Sequence, residues 1–247
     1  MKQIFLVSLS ILLATFLCSE KGLSCPSKEA VQAGLLKVNP RYKLIHVEAV
    51  KPSSIPGFCE VIINFAGRKN VFFVDQKGRY AFLGQLLDLK KGENLTRQLV
   101  MDLNRLKPAD LLALDSVVAF TAGKGTKTVY FVTDPNCPFC KKMEGVLSSL
   151  IEEGKITVKV ILYPLEKLHP SSKKEAVAII CDQKGWDGLV NAYISENQCK
   201  EGQEKVAAAQ RVLRQFHVRG TPVLILSDGR MVQGARSKTE IEKILGL

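Results

Sequence analysis

The chain has 247 residues, 46% hydrophobic and 24% charged, with a formal net charge of +11. That balance excludes a disordered chain and leaves room for two domains. The 35 lysines and arginines are scattered, with no basic run of the kind that marks a nucleic-acid footprint. We read the charge as a solvated surface that favours acidic clients, with no nucleic-acid partner.

Residues 1–24 read as a signal peptide. Lys2 supplies the positive start, Ile4 to Leu17 is an almost unbroken apolar run, and Glu20 and Lys21 follow. Such a run is short for a membrane span and suits a leader cleaved between Cys18 and Cys25. An uncleaved anchor and a lipid-modified Cys18 are the alternatives, although Thr15-Phe16-Leu17 lacks the small residues that lipid attachment wants.

Residues 25–92 predict a small antiparallel α+β domain. A helix over Lys28 to Leu36 is followed by strands at Tyr42–Val50, Phe58–Phe65, Asn70–Asp75 and Tyr80–Asp88. Turn residues separate them at Pro52 to Gly57, Gly67 to Asn70 and Gln76 to Gly78. No catalytic residues cluster here, and His46 alternates with apolar neighbours as a surface or packed histidine. Residues 93–124 form a linker helix and hinge, with Leu95, Leu99, Leu103 and Leu106 on one face and a kink near Pro108. Gly123-Lys124-Gly125 marks the start of the second domain.

Residues 125–247 alternate strand and helix, which predicts an α/β layer fold. Strand Thr128–Thr133 leads into helix Cys137–Glu153 and strand Thr157–Tyr163. Helical stretches follow at Ser172–Lys184, Gly188–Glu196 and Lys205–Phe216. Strand Pro222–Ser227 then turns at Asp228-Gly229 into Met231–Gln233, and helix Lys238–Leu245 closes the chain.

Cys137-Pro138-Phe139-Cys140 falls at the joint between the strand and the helix. A thiol in the first helical turn faces unpaired backbone N–H groups and the positive end of the dipole, both of which favour a thiolate. Pro138 is tolerated there because a first-turn residue has no intrahelical partner for its missing N–H. Cys137 is therefore the candidate attacking thiolate and leaving group, and Cys140, one turn deeper, the resolving thiol. A structural disulfide and half of a zinc knuckle are the alternatives; zinc wants four ligands, and no second half is present, so we expect neither a metal nor a cofactor.

Six cysteines remain after the leader, an even number that suits an oxidising compartment. With Cys137 and Cys140 paired internally, the other four allow three pairings, and proximity favours Cys181–Cys199 and Cys25–Cys59 as structural bridges. Gly220-Thr221-Pro222 is the second informative motif. A proline opening a buried strand removes a ladder donor, which a cis Thr221–Pro222 bond would explain. Thr221 and Pro222 would then offer an edge on which an extended client lies by β-augmentation.

These motifs resemble the DsbC/DsbG family of periplasmic disulfide isomerases. The likeness rests on Phe131 to Cys140, on Ala178 to Cys181 with Cys199 downstream, and on Val218-Arg219-Gly220-Thr221-Pro222. It extends to Ser54-Ile55-Pro56-Gly57 and Gly84 to Asp88 in the first block. The resemblance implies a cystatin-like N-terminal dimerisation domain, a linker helix, and a thioredoxin-like domain with a helical insertion. It implies a V-shaped homodimer in the periplasm, acting on misfolded exported proteins with disulfides and kept reduced by a membrane thiol reductant of the DsbD type. By this similarity Cys137 is the nucleophile, Cys140 the resolving thiol, Thr221 and Pro222 the substrate loop, and Cys181–Cys199 a structural bridge. Two features depart from the pattern. Pro138-Phe139 differs from the Gly-Tyr of typical isomerases and is closer to the Pro-Tyr of the DsbG branch, and Cys25–Cys59 would be an additional bridge. The expected activity is isomerisation or reduction of non-native disulfides. The alternatives are DsbG-like reduction of sulfenylated cysteines and chaperone-type binding of unfolded clients.

Overall fold

The computed structural model describes residues 24–247. The expected leader, Cys18 included, lies outside the described residues apart from Ser24. Among the described residues, no helix is long and apolar enough to cross a membrane.

The first domain begins with α1 (Lys28–Val38), whose Ser27 side chain caps the Ala30 N–H. Four strands follow: β1 (His46–Pro52), β2 (Phe58–Phe65), β3 (Arg68–Asp75) and β4 (Ala81–Phe82), paired antiparallel in that order. The expected strand from Tyr42 starts only at His46, because Pro40 opens a 3₁₀ turn over Pro40–Leu44 capped by Asn39. The expected strand over Tyr80–Asp88 is broken by Gly84 into β4 and β5 (Leu87–Asp88), and β5 pairs with β6 (Glu93–Asn94). Val31 and Leu35 of α1 pack on Val47, Cys59, Val61, Phe72 and Val74. The Cys25–Cys59 disulfide ties the segment before α1 to the middle of this core.

Two helices connect the domains, α2 (Leu95–Leu103) and α3 (Pro108–Asp115). Pro108 does not kink a continuous helix; it occupies the first turn of α3, where its missing N–H is harmless. Asn104 joins linker to hairpin, accepting from the Lys69 N–H at 3.0 Å and donating to the Lys69 carbonyl at 2.8 Å.

The second domain is a five-stranded sheet in the order β11-β10-β8-β9-β7. Its elements are β7 (Phe120–Ala122), β8 (Lys127–Thr133), α4 (Pro138–Glu152), β9 (Ile156–Leu162), α5 (Ser172–Cys181), α6 (Gly185–Val190), α7 (Lys200–Gln215), β10 (Val223–Leu226), β11 (Met231–Gln233) and α8 (Lys238–Leu245). β7, placed in the hinge by the sequence reading, is an edge strand antiparallel to β9. Strand alternation fills both faces. Val129 and Phe131 of β8 pack with Met143, Leu147, Leu150 and Ile241, whereas Tyr130 and Val132 pack with Leu114, Ala209 and Leu213. The Cys181–Cys199 disulfide joins the end of α5 to the start of α7. The β10–β11 turn carries Gly229 at φ +86°, where a Cβ would overlap the Leu106 carbonyl; the Leu106 N–H donates to the Gly229 carbonyl at 2.9 Å. Only glycine permits that approach.

Candidate active site

β8 is the middle strand of the sheet and is fully buried from Val129 onward. Its end therefore fixes the next few residues firmly. Asp134, fully buried, accepts the Asn136 N–H at 2.8 Å and the Leu165 N–H at 2.7 Å, and the facing ring N–H of His169 donates to it across 3.0 Å. The Asp134 carbonyl accepts the Cys137 N–H at 3.1 Å, and the Asn136 amide donates to Ser171 Oγ at 3.0 Å. This brace joins the 134–137 turn to the 165–171 loop and sets the position from which α4 departs.

Cys137 is the N-cap of α4, with extended backbone, and Pro138 is the first helical residue. Both cysteines are free thiols; Cys137 is 5% exposed and Cys140 is fully buried. The Cys137 thiol faces the Thr221 carbonyl, with sulfur and oxygen 3.7 Å apart. The Thr221–Pro222 peptide bond is cis. These two segments meet because β10 pairs antiparallel with β8, placing Val223 opposite Val132. Between Cys137 and Cys140, Phe139 is exposed and Lys142 Nζ lies 5.6 Å from its ring centroid.

The environment separates the two sulfurs. Burial pushes the Cys140 thiol up to about 12, and the neighbouring Cys137 sulfur pushes in the same direction. The Asp134 N–H and the hydroxyls of Thr133 and Thr221 pull the other way without overcoming burial. Neither hydroxyl has a hydrogen-bond partner; both act as dipoles beside the sulfur. Cys140 is thus a neutral thiol near pH 7, set behind Cys137 at the helix N-terminus. A pair arranged this way has one sulfur placed to exchange with an outside disulfide and a second placed to displace it.

The structure brings Cys137, Cys140, Thr221 and Pro222 together at one end of the sheet. The other four cysteines form the Cys25–Cys59 and Cys181–Cys199 disulfides, and His46 is exposed in β1. Sequence reasoning missed Asp134, His169 and Glu144. Asp134 and His169 are 35 residues apart, and no local pattern links them. Glu144 was within reach of sequence analysis, since it lies four residues after Cys140 on the inward face of α4. Its carboxyl is buried and held above the ordinary carboxylate range by desolvation, with Lys141 Nζ, 3.1 Å away, opposing that shift. Lys141 and Glu144 form an ion pair without a directed hydrogen bond.

Comparison with known proteins agrees with this architecture. Residues 22–97 match the model of the disulfide bond isomerase protein N-terminal domain, and residues 114–247 match that of the thioredoxin-like domain. The chain belongs to the thioredoxin-like family, with an N-terminal domain of the disulfide bond isomerase type. Among curated relatives, the probable thiol:disulfide interchange protein DsbC of Bordetella parapertussis is 30% identical over 178 residues, 70% of this chain. That alignment spans 61% of the Bordetella protein. The thiol:disulfide interchange protein DsbC of Escherichia coli K12 is 23% identical over 240 residues, covering 95% of this chain and 94% of its own. A disulfide interchange protein of known structure from Neisseria gonorrhoeae aligns with 51% of this chain and 89% of its own, at 27% identity and a TM-score of 0.45.

Proposed function

We propose that this protein is a thiol:disulfide interchange enzyme that isomerises or reduces non-native disulfides in exported proteins. The observation that carries the reading is the placement of the Cys137 sulfur at the N-cap of α4, 3.7 Å from the Thr221 carbonyl, with Cys140 neutral behind it. In the exchange, the Cys137 thiolate attacks one sulfur of a client disulfide. A Cys137–client bond forms, the client S–S bond breaks, and the second client sulfur leaves as a thiolate that takes a proton. If a different thiol of the same client attacks the client sulfur bound to Cys137, Cys137 is released and the client is isomerised with no net electron transfer; return of the original thiol only re-forms the starting disulfide. If Cys140 attacks the Cys137 sulfur instead, the client leaves reduced and a Cys137–Cys140 disulfide remains. A membrane thiol reductant of the DsbD type would then return two electrons to it. Thr221 and Pro222 form the edge on which the extended client lies.

The DsbC-type N-terminal domain supports a homodimer, and the even set of cysteines supports an oxidising space, the periplasm.

Refolding of scrambled ribonuclease tests the reading. The reduced protein should restore activity, and Cys137→Ala should lower the rate on the order of 10³-fold or more. Absence of isomerisation by the wild type, or full activity in Cys137→Ala, would overturn it. Light scattering should give twice the chain mass.

A further inference from the structure

A groove separates the β2–β3 turn of the first domain from the Gly220–Pro222 loop. One cavity, of about 480 Å³, has Arg68, His217, Arg219, Thr221 and Pro222 in its wall. An adjoining cavity of about 250 Å³ shares Arg68 and adds Arg97 and Arg236. Neither wall contains an aspartate or glutamate. Of the four arginines, Arg97 is paired, with Glu240 at 3.3 Å. Among the described residues, Arg68, Arg219 and Arg236 have no carboxylate within ion-pair distance, although the charge of Glu240 reaches Arg236 more weakly.

These cations are held under mutual strain. Arg68 and Arg236 are half-buried, and desolvation lowers the pKa of both guanidinium groups. Arg219 adds repulsion at Arg68, and Arg97 adds it at Arg236. The buried Nε of Arg236 has no partner, while its Nη1 turns back to the Ala235 carbonyl at 2.7 Å. Arg219 is tied to the hairpin by a 3.2 Å bond to the Ala66 carbonyl. Desolvated like charges without counter-ions are unfavourable, and a carboxylate entering the groove would relieve them, with guanidinium forks suited to its geometry.

The groove also has an address. Thr221 lines its larger cavity, and the Thr221 carbonyl is the group facing the Cys137 sulfur. A client strand lying along this loop would carry the residues on one side of its cysteine toward the arginines at about 3.3 Å per residue. We infer that the groove selects polypeptides carrying aspartate or glutamate a few residues from the cysteine that Cys137 attacks. The inference rests on the thiol-exchange reading and narrows its substrate class.

Three synthetic peptides test it. Each holds one cysteine as a mixed disulfide with thionitrobenzoate and carries aspartates, serines or lysines on both sides of that cysteine. Attack of Cys137 on the peptide sulfur joins it to the enzyme and expels coloured thionitrobenzoate, so its release reports the rate. In wild-type protein at low salt the aspartate peptide should react ~10-fold or more faster than the serine peptide, and the lysine peptide slowest. The spread should shrink at high ionic strength, where the Debye length falls to about 3 Å at 1 M. Arg68→Glu/Arg236→Glu should reverse the order. Arg41→Glu/Arg211→Glu, which makes the same change in net charge at exposed positions away from the groove, should keep it. Equal rates for the three wild-type peptides, or an aspartate preference that survives the Arg68/Arg236 reversal, would overturn the inference alone. No release from any peptide would overturn the exchange reading and the preference with it. The wild-type comparison and its salt dependence stand even if a reversal variant fails to fold.

Discussion

The Cys137 sulfur and the Thr221 carbonyl oxygen, 84 positions apart in the chain, lie 3.7 Å from each other. Their meeting follows from adjacent strands: β8 delivers Cys137 beyond its end, and β10, running antiparallel beside it, delivers Thr221 before its start. The contact places a sulfur at the N-cap of α4, in a residue only 5% exposed, next to a backbone edge. Cys140 sits behind both, in a position that water does not reach.

That burial has a consequence for pH. The folded Cys140 thiol, at about 12, lies above the roughly 8.5 of an unfolded cysteine, so the unfolded chain releases its proton first. Its contribution to stability is complete below about pH 8.5 and declines as pH rises toward 12, by up to about 1.4 kcal/mol per pH unit. Chemical denaturation of the reduced protein from pH 7 to 10.5 should show this decline. Cys140→Ala should show a shallower one, and equal slopes would refute the assignment.

Asp134 should be among the most sensitive positions near the site. Asp134→Ala leaves the half-buried Asn136 and Leu165 N–H groups without their acceptor and removes the partner of His169. We expect a loss of about 2–4 kcal/mol in urea unfolding, together with slower exchange as the Cys137 turn loosens. A change below about 0.5 kcal/mol, the size usual for surface substitutions, would mean that the brace is dispensable.

Glu144 predicts the opposite direction. Its folded pKa is raised by burial, so the folded state holds the proton more tightly than the unfolded state, and stability is lost as pH rises through that range. Glu144→Gln has no such titration. The variant should therefore gain stability relative to wild type between pH 4 and pH 7, measured by denaturant midpoint at each pH. A constant difference across that range would argue that Lys141 fully compensates the buried carboxylate.

Much of this architecture was legible because its signals are local. β2, β11 and α8 have the bounds that the sequence assigned them between turn residues, and the strand–CxxC–helix joint sits where the β-branched run ends. Short or interrupted elements were not legible. β7 has three residues and is defined by its pairing with β9, and Gly84 divides a stretch whose composition reads as one strand. The Asp134–His169 brace and the arginine groove escaped for the same physical reason: each depends on segments far apart in sequence that only tertiary packing brings together.

The proposed activity would expose the protein's own disulfides to attack by free thiols. Cys59 is fully buried among Val31, Leu35, Val61 and Phe72, while Cys25 is half-exposed. Of the two residues, Cys25 is the one with surface open to an attacking thiolate. Success there would expel Cys59 as an anion into an apolar core, where a thiolate is a poor leaving group. The bridge is guarded by the chemistry of the sulfur that would have to depart, which keeps the first domain stapled.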